Sequence, residues 1–182
     1  MIDDNFFIFI GCRKRTGKDT FSDLLIETLK DSHDVWKESM IQHARDSVSE
    51  LFPLVSEYEK EAPIPEYNNA STRDLIISFV DAGRKYDGNC FNRSVLTRKR
   101  KKGIVIIPDL RIDDEINFFN KHLKNKIYVK VDRKNIQHEK TYAEGSLDAY
   151  TGWDKVIDND GTLDDLKFSA QIFANEITGR WL

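Results

Sequence analysis

The chain has 182 residues, enough for one compact domain that buries a core without a disulfide or metal staple. Apolar residues make up 40% and charged residues 32%, with 11 Phe, 6 Tyr and 3 Trp, a composition that argues against intrinsic disorder. The net charge of −3 argues against a dedicated nucleic-acid binder, and two cysteines, Cys12 and Cys90, form neither a disulfide framework nor a zinc site and suit a reducing compartment.

Residues Met1 to Asn5 lack the basic flank of a signal peptide, and the longest apolar run, Phe6 to Ile10, is too short to span a bilayer. The expectation is a soluble, cytoplasmic protein with no membrane partner. Short continuous apolar runs mark strands buried on both faces. Phe6–Ile10 is the first of these, Ile104–Ile107 and Ile127–Val131 follow, and Lys155–Ile157 and Val35–Ile41 are weaker matches. Between them lie helical stripes: Phe21, Leu24, Leu25 and Leu29 after Lys18; Leu75, Ile76, Phe79 and Val80; and Leu163, Leu166, Ala170, Phe173 and Ile177. Ser71 with Asp74, and Thr162 with Asp165, have capping-box spacing ahead of the last two. Three of the four prolines fall between positions 53 and 65 among glutamates, which reads as an exposed connection. Alternating strands and helices predict an α/β domain with a mainly parallel sheet, whose ligands bind beyond the carboxyl ends of the strands.

The segment after the first strand is Gly11-Cys12-Arg13-Lys14-Arg15-Thr16-Gly17-Lys18-Asp19-Thr20, followed by a helix. Strand, Gly-Lys loop and helix is the setting of a phosphate-binding loop, where backbone N–H groups and the positive end of the helix dipole converge on an anion. Gly17 permits close backbone approach, and Lys18 can reach the β- and γ-phosphates. Cys12 stands where the strict pattern has its first glycine, and Asp19 takes the Ser/Thr position that normally touches Mg²⁺, for which a carboxylate is a good oxygen ligand. Lys14 and Arg15 add charge that can neutralise a transferring phosphate. The alternative is a basic surface turn.

The strand Ile104–Ile107 ends in Pro108-Asp109-Leu110-Arg111. Asp109 emerges at the ligand end of the sheet, where an acid can hold Mg²⁺, and Arg111 can clamp a phosphate bidentately. Arg73, Arg84 and Arg93 surround the segment containing Asp87 and form a candidate set for an acceptor that already carries a phosphate. The basic run Arg98–Lys102 reads as a solvated turn, with a nucleic-acid patch as the rival reading. The four histidines show no metal-ligand spacing.

Three segments resemble bacteriophage deoxynucleoside monophosphate kinases: Lys14 to Thr20, Ile106 to Arg111 followed by Asp114-Glu115, and Asp154 to Leu166 with its Asn159-Asp160-Gly161-Thr162-Leu163 core. A looser match is His138 to Leu147 with Glu144, similar to a lid region. Animal phosphomevalonate kinase shares these features, especially over Arg84 to Arg93 with Asp87. The resemblance implies a three-layer P-loop nucleoside monophosphate kinase fold in one domain, with a five-stranded parallel sheet, an acceptor-binding helical region at about 42–100 and a short lid at about 132–150. It implies Mg²⁺ with ATP as co-substrate and a phosphorylated small-molecule acceptor, and it leaves room for a homodimer. Lys14 through Thr20 and Asn159 would bind ATP, with Asn159 near the adenine. Lys18, Asp19, Asp109 and Arg111 would carry the chemistry, with Asp19 and Asp109 on the metal. Arg73, Arg84, Asp87, Arg93 and Arg111 would hold the acceptor, and Arg133, Lys134 and Lys140 would close over the phosphates. A non-catalytic nucleotide-binding module, suggested by Cys12 in the loop, is the rival class.

Overall fold

A computed structural model describes residues 5–11, 13–134 and 145–180. Cys12, His138, Lys140 and Glu144 lie outside these residues. The chain divides into two compact units, one of residues 1–39 and 99–182 and one of residues 40–98.

The first unit is built on a five-stranded, all-parallel sheet. Its strands are β1 (Phe6–Gly11), β2 (Val35–Lys37), β5 (Ile104–Leu110), β6 (Lys126–Asp132) and β7 (Lys155–Asp158), in the order β2-β5-β1-β6-β7. β2 ends at Lys37, short of the Val35–Ile41 expectation, because the chain leaves the ladder after Glu38 donates its N–H to the Ile106 carbonyl. β1 is central, and every residue from Phe6 to Gly11 is buried. Alternation along β1 explains why the run is uninterrupted. Phe6, Ile8 and Ile10 face one layer, with Phe21, Leu25 and Leu29 of helix α1 (Lys18–Leu29) and Leu166, Ala170, Phe173 and Ile177 of helix α6 (Leu163–Arg180). Phe7 and Phe9 face the other layer. There Phe9 meets Phe119 of helix α5 (Asp113–His122) at 4.3 Å between ring centroids and Tyr128 at 5.6 Å. Each such side chain removed from water contributes about 1.5–3 kcal/mol.

In the basic run 98–102, Lys99, Lys101 and Lys102 are exposed, as a solvated turn requires, and Arg100 is the exception. The Arg100 side chain is only 5% exposed, donates two N–H groups to Glu38 (2.8 and 2.7 Å), and lies over the Phe7 ring at 5.5 Å. Burial of Phe7 against the planar guanidinium draws Arg100 inward, and Glu38 supplies the charge partner.

The second unit comprises helix α2 (Gln42–Leu51), short 3₁₀ turns at Pro53–Ser56 and Pro65–Tyr67, a two-stranded antiparallel ribbon of β3 (Pro63–Ile64) and β4 (Ala70–Ser71), and helices α3 (Thr72–Tyr86) and α4 (Cys90–Thr97). Ala44, Val48, Val55, Ile64, Ile76, Val80 and Phe91 form its own small core. The proline-rich stretch is therefore more than an exposed connection, since Val55 and Ile64 anchor it from inside. Phe79, expected on the buried stripe of α3, is 37% exposed instead.

Ser71 caps α3: its hydroxyl accepts from the Asp74 N–H, and its own N–H and O–H donate to the Asp74 carboxylate. Thr162 and Asp165 repeat this arrangement ahead of α6. In each case the hydroxyl first, then the backbone N–H, holds the carboxyl below the usual range. Because both folded pKa values lie below the unfolded value of about 3.9, the stabilisation is complete above that pH and is lost as pH falls through the lower folded values. Asp74→Asn and Asp165→Asn together are expected to flatten the dependence of urea-unfolding stability on pH below about pH 4. An unchanged slope in the double variant would refute this.

Candidate active site

The carboxyl ends of the strands in the first unit gather the polar residues. β1 ends at Gly11, and α1 begins at Lys18 after a turn whose N-cap residue is Gly17. Gly17 has φ of +95°, a left-handed conformation natural to glycine, and the non-glycine Arg15 is held at φ of +66°. Backbone strain of this kind is found where a loop must aim its N–H groups at a ligand.

Lys18 is only 5% exposed, and its ammonium donates to the Arg13 carbonyl at 2.6 Å. Thr16, equally buried, donates its hydroxyl to the same carbonyl at 3.1 Å. Asn159, which follows β7, braces the loop from the far side: its side-chain amide donates to the Thr16 carbonyl at 2.8 Å, and its backbone N–H donates to the Asp132 carbonyl at the end of β6. A methyl group on Gly17 would sit 2.3 Å from that amide nitrogen. Gly17→Ala is therefore expected to lower stability by about 1–2 kcal/mol, from the left-handed backbone alone, and more where Asn159 is displaced. Gly88→Ala, with open space around the new carbon, stays within about 0.5 kcal/mol of wild type. Equal losses in the two variants, by urea unfolding, would refute the packing argument.

Asp109 owes its position to a bulge. Phe9 pairs with Ile107 and Gly11 with Leu110, so β5 carries one extra residue across this step. Pro108 has no N–H for the ladder, which places the irregularity here and turns Asp109 out beside the start of the phosphate loop. The Asp109 carboxylate accepts from the Ser39 hydroxyl at 2.5 Å. Arg111, half-buried, follows it, and its backbone N–H and that of Ile112 both donate to the buried carboxylate of Glu115 (2.8 and 3.2 Å). Glu115 thereby fixes the turn between β5 and α5.

Asp19 and Thr20 are exposed on the first turn of α1, and Lys14 is half-buried. The Asp19 carboxylate lies 3.9 Å from the Lys37 ammonium, which is paired more closely to Asp23 at 2.6 Å. Asp19 and Asp109 are hard oxygen donors, and their chemistry fits Mg²⁺, a cation that keeps several of its own waters and needs only one or two carboxylates. No cluster of three or more metal-ligating side chains occurs among the described residues. Of the lid residues, Arg133 is exposed, and Lys134 is tied to the β7 turn, its ammonium 2.7 Å from Asp160 and 3.4 Å from Asp158. That pairing holds the Asp160 carboxyl below its usual range.

The structure adds residues that the sequence did not single out. Arg13 makes a bidentate ion pair with Asp148, with Nε at 2.8 Å from one carboxylate oxygen, which ties the segment before β7 to the phosphate loop. Trp153 packs against Gly11, where a Cβ would meet its ring at 2.5 Å, and meets Tyr150 edge-on at 5.1 Å. Glycine at position 11 is thus required by Trp153. Gly11 and Ser39 carried local signals, a strand end and a hydroxyl after a strand. Asp148 is 135 residues from Arg13 and carried none.

In the second unit, Arg73 donates to Glu61 at 2.9 Å. Asp87 accepts from Arg93 (Nε at 3.1 Å) and from the Asn89 N–H (2.9 Å), which together hold its carboxyl low. Arg84 is half-buried on α3. These residues share one unit with Arg98, whose guanidinium donates to the Met40 carbonyl at 3.2 Å.

A parallel sheet with a glycine-lysine loop at the end of its central strand, a buried lysine in that loop and an aspartate on the neighbouring strand defines a nucleotide-binding phosphotransferase of the P-loop class. The family model for deoxynucleotide monophosphate kinase matches residues 31–169, and the chain belongs to that family. The matched span begins after the phosphate loop, so the loop is an independent observation. No curated protein sequence matches the chain. Among solved structures, shikimate kinase from Aquifex aeolicus vf5 is similar with a TM-score of 0.47 and 12% identity, over 96% of this chain and 99% of that one. No helix among the described residues is long and apolar enough to cross a membrane.

Proposed function

We propose that the protein transfers the γ-phosphoryl group of ATP, bound with Mg²⁺, to the phosphate of a deoxynucleoside monophosphate, giving the diphosphate and ADP. The observation that carries this reading is the buried Lys18 ammonium at the end of the central strand, held by a neutral carbonyl inside a loop closed by Gly17. An incoming phosphate would offer this lysine a charged acceptor, a stronger partner than a neutral carbonyl. The loop N–H groups and the start of α1 cradle the β-phosphate. Lys14, Arg15, Thr16 and Thr20 complete the ATP site, with Asn159 holding the loop against it.

Asp19 and Asp109 would hold Mg²⁺, Asp109 being oriented by Ser39. When bound, the ion neutralises charge on the β- and γ-phosphates. Lys18 and Arg111 stabilise charge that develops on the transferring group. The acceptor phosphate is already a competent nucleophile, so positioning and electrostatics suffice without a general base. Residues 40–98 form the acceptor-binding region within one kinase domain, with Arg73, Arg84, Asp87 and Arg93 on its surface. The segment at about 132–150, with Arg133, Lys134 and Lys140, acts as a lid that excludes water, the competing acceptor. The protein works in the cytoplasm, and its assembly is a monomer or a homodimer.

The test is a coupled ADP-release assay across the four deoxynucleoside monophosphates, with phosphomevalonate alongside. Turnover is expected with at least one deoxynucleotide and only with Mg²⁺ present. Folded protein that turns over none of them refutes the reading, and turnover of phosphomevalonate alone replaces the acceptor.

A further inference from the structure

We propose that Asp148 is a positioning residue for the Lys18 ammonium, acting through Arg13, an inference that rests on the phosphoryl-transfer reading of the loop. The Arg13 carbonyl accepts from the Lys18 ammonium at 2.6 Å and from the Thr16 hydroxyl at 3.1 Å. Where that one carbonyl points therefore sets where the buried Lys18 charge sits. The described pairing of β1 with β5 and β6 ends at Gly11, two residues before Arg13, so these ladders do not fix its peptide.

The Arg13 side chain supplies the restraint. The Asp148 carboxylate accepts from two of its guanidinium N–H groups, with Nε at 2.8 Å. A bidentate pair fixes the plane of the guanidinium as well as its distance, which a single contact does not. Asp148 is itself anchored. Leu147 beside it is buried, and five residues on Trp153 packs against Gly11, with the Tyr150 ring edge-on to it. The segment 147–153 thus holds the chain at Gly11 and again at Arg13, where the phosphate loop leaves β1. Asn159 holds the same loop at the Thr16 carbonyl.

The pair is placed for geometry more than for stability. Its side chains are 32% and 43% exposed, and ion pairs so open to water stabilise a fold very little. A misplacement of about 1 Å in a group that meets the transferring phosphate, in contrast, costs about a hundredfold in rate. No bond is made or broken at Asp148. Its carboxylate holds Arg13, and the Arg13 carbonyl holds the lysine.

The experiment compares wild type with Asp148→Asn, Asp148→Glu and Glu176→Gln. The last is a control that opens the similarly exposed Lys155–Glu176 pair, which shares no residue with the loop. Steady-state rates with ATP and the preferred deoxynucleoside monophosphate, and melting midpoints, are measured on the same preparations. Asp148→Asn is expected to lower kcat by about tenfold to a hundredfold. KM for the deoxynucleotide stays within about twofold of wild type. Asp148→Glu keeps the carboxylate and recovers part of the loss. Glu176→Gln leaves kcat within about twofold of wild type. Neither Asp148→Asn nor Glu176→Gln lowers the melting midpoint by more than about 4 °C. In a Lys18→Ala background, Asp148→Asn lowers kcat by no more than about twofold, because its effect passes through an ammonium that is already gone. An unchanged kcat in Asp148→Asn overturns the assignment. So does the full loss repeated in the Lys18→Ala background, or an equal loss in Glu176→Gln, each the result of a purely structural role. Wild type that turns over no deoxynucleotide overturns the functional reading instead, and this inference with it.

Discussion

Lys18→Ala is expected to lower kcat by about a hundredfold to a thousandfold while leaving the far-UV circular dichroism spectrum unchanged. The loop does not depend on this side chain for its shape. Gly17 sets the turn, Asn159 pins the Thr16 carbonyl, and Thr16 itself donates to the Arg13 carbonyl that also receives the lysine. Removing the ammonium therefore costs stabilisation of phosphate charge in the transition state far more than it costs structure. A uniform loss of ground-state binding would raise KM for ATP with kcat intact. Tight ATP binding with no turnover in wild type, and a Lys18→Ala variant altered only in ATP affinity, marks a nucleotide-binding module without catalysis. A fall in kcat with little change in KM marks a kinase.

Arg100→Met is expected to have the largest effect on stability, a loss of about 3–5 kcal/mol, because it strands the Glu38 carboxylate, which is only 16% exposed in the fold. For a chain of this size such a loss lowers the melting midpoint by roughly 6–20 °C. Arg100 also covers the Phe7 ring, so some of the loss is packing. Glu38→Gln in the Arg100→Met background should recover part of the loss, since replacing both partners removes the unpaired charge. The measurement is urea unfolding of the four proteins in a double-mutant cycle. A loss below about 1 kcal/mol in Arg100→Met would place the pair among ordinary surface ion pairs. The same result would reopen the nucleic-acid reading of the run 98–102, which steeply salt-dependent DNA binding would reveal.

The phosphate loop was legible because its signal is local. A strand, a Gly-Lys pair and a helix stripe are contiguous, and Gly17 and Lys18 lie where that grammar puts them. Asp109 was legible for the same reason, as the acid that ends an apolar strand. Helix α5 was not read, because Asp113, Asp114 and Glu115 at its start and Lys121 and His122 at its end dilute the short stripe of Ile116, Phe118 and Phe119. The contact made by Asn159 was not legible either: its amide donates to the Thr16 carbonyl, 143 positions away in the chain. Arg100 was read by its neighbours, four other cations, when what governs it is an aromatic ring and a carboxylate brought up by β1 and the end of β2.

By itself the sequence determined the five strands of the parallel sheet, helices α1, α3 and α6 and their order, since apolar runs, helical stripes and capping boxes are set by residues within a few positions of one another. It also marked the end of β1 as the candidate place for a phosphate. What only the tertiary structure decided is which charges remain available. Arg13 is taken by Asp148, Arg93 by Asp87, Arg100 by Glu38 and Lys134 by Asp160, whereas the Arg45 Nε has no partner among the described residues. The physical reason is that most of these pairings join distant stretches of the chain. A side chain's charge is answered by whatever the packing brings within about 3 Å of it, and no local pattern encodes that.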